Sequence, residues 1–168
     1  FLQFYHGRQS ASLQCYKAQA ELAALGNKQL PKSLQADIET LWLVGKSRPD
    51  ACNKPFKVFK QRGLLSDDRV WQRAVLSIRQ GQVKLARYLQ RSLKDLQRRR
   101  WVDRWLDMRA KPEQTLATLK WKDDASARSV IDYGMQRLAN RDAAAAHALW
   151  TPLQQRYRFG TAERDTVA

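Results

Sequence analysis

The sequence predicts an all-α protein, an irregular right-handed α-superhelix or solenoid of antiparallel helix pairs. Apolar residues recur at helical spacing along the chain, and no stretch shows the sustained two-residue alternation of a β-strand. Glycines stand at positions 26, 45, 63 and 81, which are 19, 18 and 18 residues apart. One helix plus one turn about every 18 residues makes a helical hairpin about every 36, as in helical-repeat arrays. An ordinary helical bundle is the alternative, because the side chains around these glycines do not repeat.

Apolar stripes predict which helix faces are buried. They comprise Leu13, Tyr16, Ala20 and Ala23; Leu34, Ile38, Leu41 and Trp42; Val70, Trp71, Ala74, Val75 and Ile78; Val83, Ala86, Leu89 and Leu93; Trp101, Val102, Trp105 and Leu106; Ala127, Val130, Ile131, Gly134 and Leu138; and Ala143, Ala146, Trp150 and Leu153. No low-complexity linker interrupts this series, so residues 1–168 are predicted to form a single segment.

Polar residues and glycines mark the expected helix boundaries. The acidic runs at 66–68 and 123–124 each precede an apolar stripe, where hydroxyl and carboxylate groups cap free N–H groups and suit the positive end of the helix dipole. Pro112 suits the first turn of a short helix that runs through Leu119. The four spaced glycines are expected to take the left-handed conformation that ends many helices.

The chain is strongly basic, with 31 lysines and arginines against 16 acids and a net charge of +15. Such a field favours an anionic partner, which could be nucleic acid, an acidic membrane surface or an acidic polymer. A basic, solvated surface without a specific partner explains the same numbers. No apolar run approaches the roughly 18 residues that a membrane span needs. The chain begins at Phe1 without a signal-peptide pattern, so we expect a piece of a longer protein.

Catalytic chemistry is poorly represented in the sequence. The histidines, His6 and His147, have no His or Cys neighbour at metal-ligand spacing. The glutamates are Glu21, Glu39, Glu113 and Glu163. None of them stands in the apolar, aromatic setting that raises a carboxyl pKa for acid catalysis. A glycine-rich phosphate loop and a nucleophile elbow are also missing from the sequence. We therefore predict no catalytic residue, no metal site and no cofactor.

The densest basic and aromatic cluster is residues 94–109, KDLQRRRWVDRWLDMR. Candidate contacts to a glycan or an anion are Arg98, Arg99, Arg100, Trp101, Arg104 and Trp105. Aromatic faces stack on sugar rings and guanidinium groups bind anions. The competing interpretation is structural, with Arg99 pairing with Asp103, Arg104 pairing with Asp107, and both tryptophans in the core.

The cysteines are Cys15 and Cys52, 37 positions apart. In a cytosolic protein such a pair is usually two unrelated thiols, whereas in an exported protein it is usually a disulfide. The residues alone leave the two cases open.

Several short motifs between Gln14 and about Arg91 occur together in a known family. They are QCY at 14–16, ALG at 24–26, LWLVGKSRPDAC at 41–52 with Phe56 after it, WQR at 71–73, and the turn at 81–86. This set resembles the soluble lytic transglycosylases of the Gram-negative periplasm, in the α-helical superhelix, or U-domain, that precedes their catalytic domain. The 41–52 motif is highly specific within that family, and beyond Arg91 the resemblance is weaker.

The resemblance implies a scaffold that engages substrate for an attached enzyme. The family's lysozyme-like C-terminal domain is a lyase, which cleaves the MurNAc-β-1,4-GlcNAc bond of peptidoglycan (murein) to 1,6-anhydro products. One glutamate serves as acid and then base, unlike the two-carboxylate scheme of most glycosidases. The family's Glu-Ser pair and Gly-Leu-Met-Gln run do not occur here. No catalytic residue is therefore carried over, and we expect this segment alone to be inactive.

The resemblance also implies a compartment and partners. Cys15 and Cys52 match the family's cysteine pair, which the oxidising periplasm would bond. The expected partners are peptidoglycan, whose stem-peptide carboxylates attract a basic surface, and the absent catalytic domain. Nucleic acid is not expected as a partner, and neither is a transmembrane segment. Two alternatives remain: an exported helical-repeat module that binds protein, and a basic helical domain that binds nucleic acid.

Overall fold

The computed structural model describes residues 10–160, and within that range all regular structure is helical. The described α-helices are α1 Ala11–Leu25, α2 Lys32–Trp42, α3 Asn53–Gln61, α4 Asp67–Arg79, α5 Val83–Ser92, α6 Leu96–Ala110, α7 Pro112–Ala117, α8 Ala125–Ala139 and α9 Ala143–Arg156. One turn of 3-10 helix, Asp50–Cys52, precedes α3. The all-α prediction is confirmed. The helices fall into two compact units, which divide between Lys94 and Asp95.

The first unit contains α1 to α5. Helices α1, α2 and α3 bury a common apolar cluster, in which Ile38 of α2 and Phe59 of α3 are almost fully enclosed. The predicted stripe of α2 is buried in full. Helices α4 and α5 pack against each other, and Ala74, Ile78, Ala86 and Leu89 lie buried on them.

The buried face of α1 differs from the predicted one. Tyr16 is 60% exposed, whereas Cys15, Ala18 and Leu22 are buried. Small and apolar residues are spread around this helix, so its sequence favours no single face. The neighbour that covers α1, and not its own pattern, decides which side turns inward.

A disulfide joins α1 to the 3-10 turn in the first unit. Cys15 and Cys52 are bonded, with their Cα atoms 4.9 Å apart, and neither residue is exposed. Leu41 of α2 packs beside the bond. Nearby, the Gln19 side-chain amide donates to the carbonyl oxygen of Ala51 at 2.6 Å. In the chain-entropy model, closing a loop of this length stabilises the fold by about 4 kcal/mol.

The spaced glycines do two different jobs. Gly26, Gly63 and Gly81 follow helix ends with φ of 54°, 72° and 78°, the left-handed half of φ space that was predicted for them. Gly45 has no positive φ, so the prediction is wrong there. A Cβ atom at Gly45 would lie 2.7 Å from the carbonyl carbon of Leu76 in α4. Its small size, and not its conformational freedom, is what this position requires.

The predicted helix starts are confirmed. The Ser66 hydroxyl accepts from the backbone N–H of Arg69 at 3.4 Å, and the Asp124 carboxylate accepts from Ala127 N–H at 2.8 Å. Helix α7 begins at Pro112 as predicted but ends at Ala117, two residues early. At its end the Thr118 N–H donates to the carbonyl oxygen of Thr115 at 3.3 Å, a 3-10 hydrogen bond that closes the last turn.

The second unit contains α6 to α9. Its core includes Val102 and Met108 of α6 and the apolar stripe of α8, which is buried as predicted. A Cβ atom at Gly134 would come within 2.7 Å of the Met108 Cγ atom. Glycine at this position therefore lets α6 approach α8 closely.

Candidate functional site

Helix α6 divides its two tryptophans between core and surface. Trp105 is 1% exposed and packs against Tyr133 with ring centroids 5.0 Å apart. Trp101 is only half-buried and meets Trp121 edge to face at 5.5 Å. Trp121 comes from the segment between α7 and α8. The structural interpretation is therefore correct for Trp105, while Trp101 belongs to an aromatic pair at the surface.

Arg104 lies against both rings of this pair. Its guanidinium carbon is 4.3 Å from the centroid of Trp101 and 5.1 Å from that of Trp121. The predicted ion pair between Arg104 and Asp107 does not form within residues 10–160. A cation–π contact and an exposed ion pair each contribute about 1 kcal/mol or less. Contact with two rings at once therefore favours this position of Arg104 over a single pairing with Asp107.

A groove of about 460 Å³ opens beside this cluster. Its lining includes Arg104, Asp107, Lys111, Gln114, Thr115 and Trp121. The wall thus offers one aromatic face, amide and hydroxyl groups, one carboxylate and two cations. Sugar rings are recognised by this kind of mixture, since a ring's C–H face packs on an aromatic side chain while its hydroxyls need donors and acceptors.

The remaining predicted contact residues lie outside the groove lining. Arg98 forms an ion pair with Asp95 at 3.7 Å at the start of α6. Arg99 is partly buried, and Arg100 is exposed on the same helix. Of the predicted set, only Arg104 lines the groove. Trp101 contacts two of the groove residues, Arg104 and Trp121.

Most of the groove was missed at the sequence level. Lys111, Gln114 and Thr115 lie in or next to the short helix α7, and Trp121 follows it in a stretch without helix. The one available signal was Trp121 itself, a tryptophan that belongs to no helical stripe. Its partners are too far away in sequence for periodicity to connect them.

A second arginine–aromatic cluster lies in the first unit. Arg73 of α4 is 4% exposed, and its guanidinium carbon is 4.2 Å from the Trp42 ring and 5.4 Å from the Phe56 ring. One terminal nitrogen donates to the carbonyl oxygen of Lys46 at 3.4 Å, while Nε has no hydrogen-bond partner among the described residues. Burial, with a smaller contribution from the nearby charge of Arg48, lowers the pKa of Arg73 to about 10.

Arg69, one turn earlier on α4, has a carboxylate partner instead. Its guanidinium contacts both carboxylate oxygens of Glu39 in α2, at 2.6 and 2.8 Å. The hydrogen bonds from Arg69 lower the pKa of Glu39 below its ordinary value. A general acid needs the opposite shift, because it must keep its proton near neutral pH.

The other candidate acids and histidines show no catalytic grouping. Glu21 pairs with Lys17 at 3.7 Å, and Glu113 faces Arg141 at 4.0 Å. His147 is exposed on α9, and His6 and Glu163 lie outside the described residues. Across residues 10–160, no three His, Cys, Asp or Glu side chains converge closely enough to hold a metal ion.

Three solved structures that are similar to this chain are lytic transglycosylases. The chain is similar to lytic transglycosylase Slt from Pseudomonas aeruginosa, crystallised as an inactive mutant, with a TM-score of 0.80 and 25% identity over 99% of this chain and 26% of that one. The 70-kDa soluble lytic transglycosylase of Escherichia coli matches with a TM-score of 0.70 and 18% identity, over 95% of this chain and 25% of that one. A 70-kDa soluble lytic transglycosylase in complex with bulgecin A matches with a TM-score of 0.72 and 19% identity over the same shares.

These neighbours are superhelical enzymes, in agreement with the predicted fold class. The chain spans about a quarter of their length. A search of the curated proteins finds no match.

A comparison with family models gives a different result from the comparison with solved structures. A model described as cucumovirus coat protein matches residues 24–126, more than half of the chain. This match concerns sequence alone, whereas the likeness to Slt covers nearly every residue of the helical fold. We therefore take the fold from the solved structures and do not assign the chain to the coat-protein family.

Proposed function

We propose that this chain is the scaffolding and substrate-engaging helical part, the U-domain, of a periplasmic lytic transglycosylase. The observation that carries the proposal is the likeness to Slt of Pseudomonas aeruginosa over 99% of the chain at 25% identity. The parent enzyme is a lyase that cleaves the MurNAc-β-1,4-GlcNAc bond of peptidoglycan to 1,6-anhydro products. Its acid–base glutamate belongs to a lysozyme-like domain outside this sequence, and the segment itself contributes binding and support.

Two further observations support an exported protein that meets an acidic polymer. The buried Cys15–Cys52 bond suits an oxidising compartment such as the periplasm of a Gram-negative bacterium. A net charge of +15 attracts the carboxylates of peptidoglycan stem peptides. Within residues 10–160, every helix is too short or too polar to cross a bilayer.

Sedimentation with purified peptidoglycan sacculi tests the proposal. The chain should co-sediment with sacculi at low salt, bind less as salt rises, and release no 1,6-anhydro muropeptides. Chitin particles, which lack stem peptides, serve as the matched insoluble control. A chain that stays in the supernatant at low salt contradicts the binding role, and release of anhydro products contradicts the non-catalytic role.

The second candidate function is nucleic-acid binding. It is favoured by the coat-protein family match over residues 24–126 and by the net charge of +15. Such binding weakens with a log–log salt slope of about −0.7 per phosphate contact for a single strand. Titration of single-stranded RNA at several salt concentrations measures that slope. If RNA displaces the chain from sacculi at equal charge concentration, the second candidate replaces the first.

A further inference from the structure

The groove beside α7, lined by Arg104, Lys111, Gln114 and Trp121 among others, has no assigned ligand. We propose that it is a saccharide subsite that binds one pyranose ring of a glycan strand together with a carboxylate next to that ring. This proposal rests on the proposed function and deepens it, because peptidoglycan is a polymer of N-acetylated sugars with acidic substituents.

Trp121 provides a fixed stacking face for the sugar. Its ring is held by Trp101 at a centroid distance of 5.5 Å and an interplanar angle of 80°, and by Arg104. Its backbone carbonyl accepts from the Tyr157 hydroxyl at 3.0 Å. Trp121 is partly exposed and lines the groove. Because both the ring and the backbone of Trp121 are positioned before binding, stacking of a sugar there would cost the protein little conformational entropy.

The polar side chains of the groove remain available for sugar hydroxyls and amides. The Gln114 amide and the Asp107 carboxylate are exposed, and neither makes a side-chain hydrogen bond or ion pair within residues 10–160. The Thr115 hydroxyl donates to the carbonyl of Asp107 at 3.4 Å, which leaves its oxygen free to accept. The groove therefore presents donors and acceptors around one aromatic wall.

The charge of the groove selects an acidic ligand. The lining contains two cations, Arg104 and Lys111, and one carboxylate, Asp107, so its net charge is positive. Between solvent-exposed groups about 4 Å apart, one extra attraction favours an acidic sugar by roughly fivefold at low salt. The preference should fade at high salt, where the screening length falls to about 3 Å.

Replacing the ring should not unfold the segment. The Arg156 guanidinium donates to the carbonyl of Leu119 at 2.7 Å, and the Tyr157 hydroxyl donates to that of Trp121. These bonds hold the backbone of the 119–121 segment and need no side chain at position 121. A Trp121→Ala variant should therefore report on binding.

Nuclear magnetic resonance titration of the intact chain tests the subsite. The probes are the disaccharide GlcNAc-MurNAc with its free lactyl carboxylate and the neutral disaccharide of two GlcNAc units. We expect the acidic disaccharide to shift the indole N–H signals of Trp101 and Trp121, and to bind several-fold more tightly than the neutral one. Trp121→Ala and the groove variant Gln114→Ala should each weaken binding by about two- to tenfold, the loss expected for a stacked or hydrogen-bonded contact.

Arg104→Gln should reduce the preference for the acidic disaccharide, while Lys84→Gln, which removes one positive charge from the exposed surface of α5, should leave binding unchanged. The proposal is overturned if neither indole signal moves up to saturating disaccharide, or if the Trp121 and Gln114 variants bind like the wild type. Sacculus sedimentation of the same variants separates the two proposals. If the chain binds sacculi but the disaccharides do not shift the indole signals of the groove, the chain contacts peptidoglycan elsewhere. The proposed function then stands without the subsite.

Discussion

In both units an arginine lies against two aromatic rings, at nearly the same distances in the two clusters. Arg73 lies 4.2 Å from the Trp42 ring, and Arg104 lies 4.3 Å from the Trp101 ring. They differ in burial, since Arg73 is 4% exposed whereas Arg104 is only partly buried and lies beside a groove.

Burial therefore separates a structural contact from a candidate binding contact. The Arg73 guanidinium is enclosed by protein, and its desolvation lowers its pKa. The Trp42 and Phe56 rings and the carbonyl oxygen of Lys46 all contact this guanidinium and hold it in place. The Arg104 cluster turns one indole, Trp121, toward an open groove. The same pair of residue types thus stabilises one unit and offers a surface on the other.

Truncation of Arg73 should have the largest effect on stability. Arg73→Ala removes a buried side chain from between α4 and the Trp42 ring, and we expect it to lower the free energy of unfolding by about 3 kcal/mol. Arg73→Met keeps the volume and removes the unpaired Nε, so it should stay within about 1 kcal/mol of the wild type. Urea denaturation measures both. If Met costs as much as Ala, the charge itself stabilises the cluster and packing does not explain it.

Enlarging Gly45 should disturb the same cluster from the other side. In Gly45→Ala the new methyl group meets the backbone of Leu76 and moves the adjacent Lys46 carbonyl, which accepts from Arg73. We expect a loss of about 2 kcal/mol, in the range for overpacking. Gly26→Ala has a different cause of loss, because a Cβ atom there meets nothing and only the positive φ of 54° is unfavourable for alanine. Urea denaturation measures the loss at Gly45, and a loss under about 0.5 kcal/mol would show that close approach to Leu76 does not constrain this position.

Truncation of Arg104 should have a smaller effect on stability than truncation of Arg73. Arg104→Ala removes half-exposed cation–π contacts, so the free energy of unfolding should fall by about 1 kcal/mol or less. Thermal melting followed by circular dichroism provides the measurement. A loss comparable to that of Arg73→Ala would mean that the groove cluster is structural, and the functional distinction between the two clusters would fail.

The ion pair between Arg69 of α4 and Glu39 should show the smallest effect, present at neutral pH and lost in acid. The pKa of Glu39 in the folded state lies below its ordinary value of 4.5, so the unfolded state binds more protons as pH falls. The pair therefore stabilises the fold above that value and loses its contribution as pH drops through the folded pKa. Because both side chains are about one-third exposed, solvent screening keeps the contribution small.

The measurement for this pair is the unfolding free energy of wild type and Glu39→Gln at neutral pH and near pH 3. The difference between the two proteins should shrink in acid. A difference that is constant with pH would show that Glu39 acts through packing and not through its charge.

Local chemistry in the sequence determined where helices begin and end. Ser66 and Asp124 cap the helices that they were predicted to cap, and Gly63 follows α3 with a positive φ. These outcomes depend on groups within a few residues of one another, so the sequence contains all the information they need. The stripes of α2 and α8 were predictable for a related reason, because their apolar residues are confined to one side.

Tertiary structure alone decided which face of α1 is buried and which arginines meet aromatic rings. The buried face of α1 contains Cys15, bonded to a residue 37 positions away. Trp101 and Trp105 share one helix and one pattern, yet Trp101 meets the surface ring of Trp121 whereas Trp105 is buried against Tyr133. Burial depends on which distant segment covers a side chain, and helical periodicity describes only the helix itself. The sequence by itself therefore determined an all-helical chain with capped ends. Packing between helices decided that Arg73 is enclosed whereas Arg104 lies beside a groove.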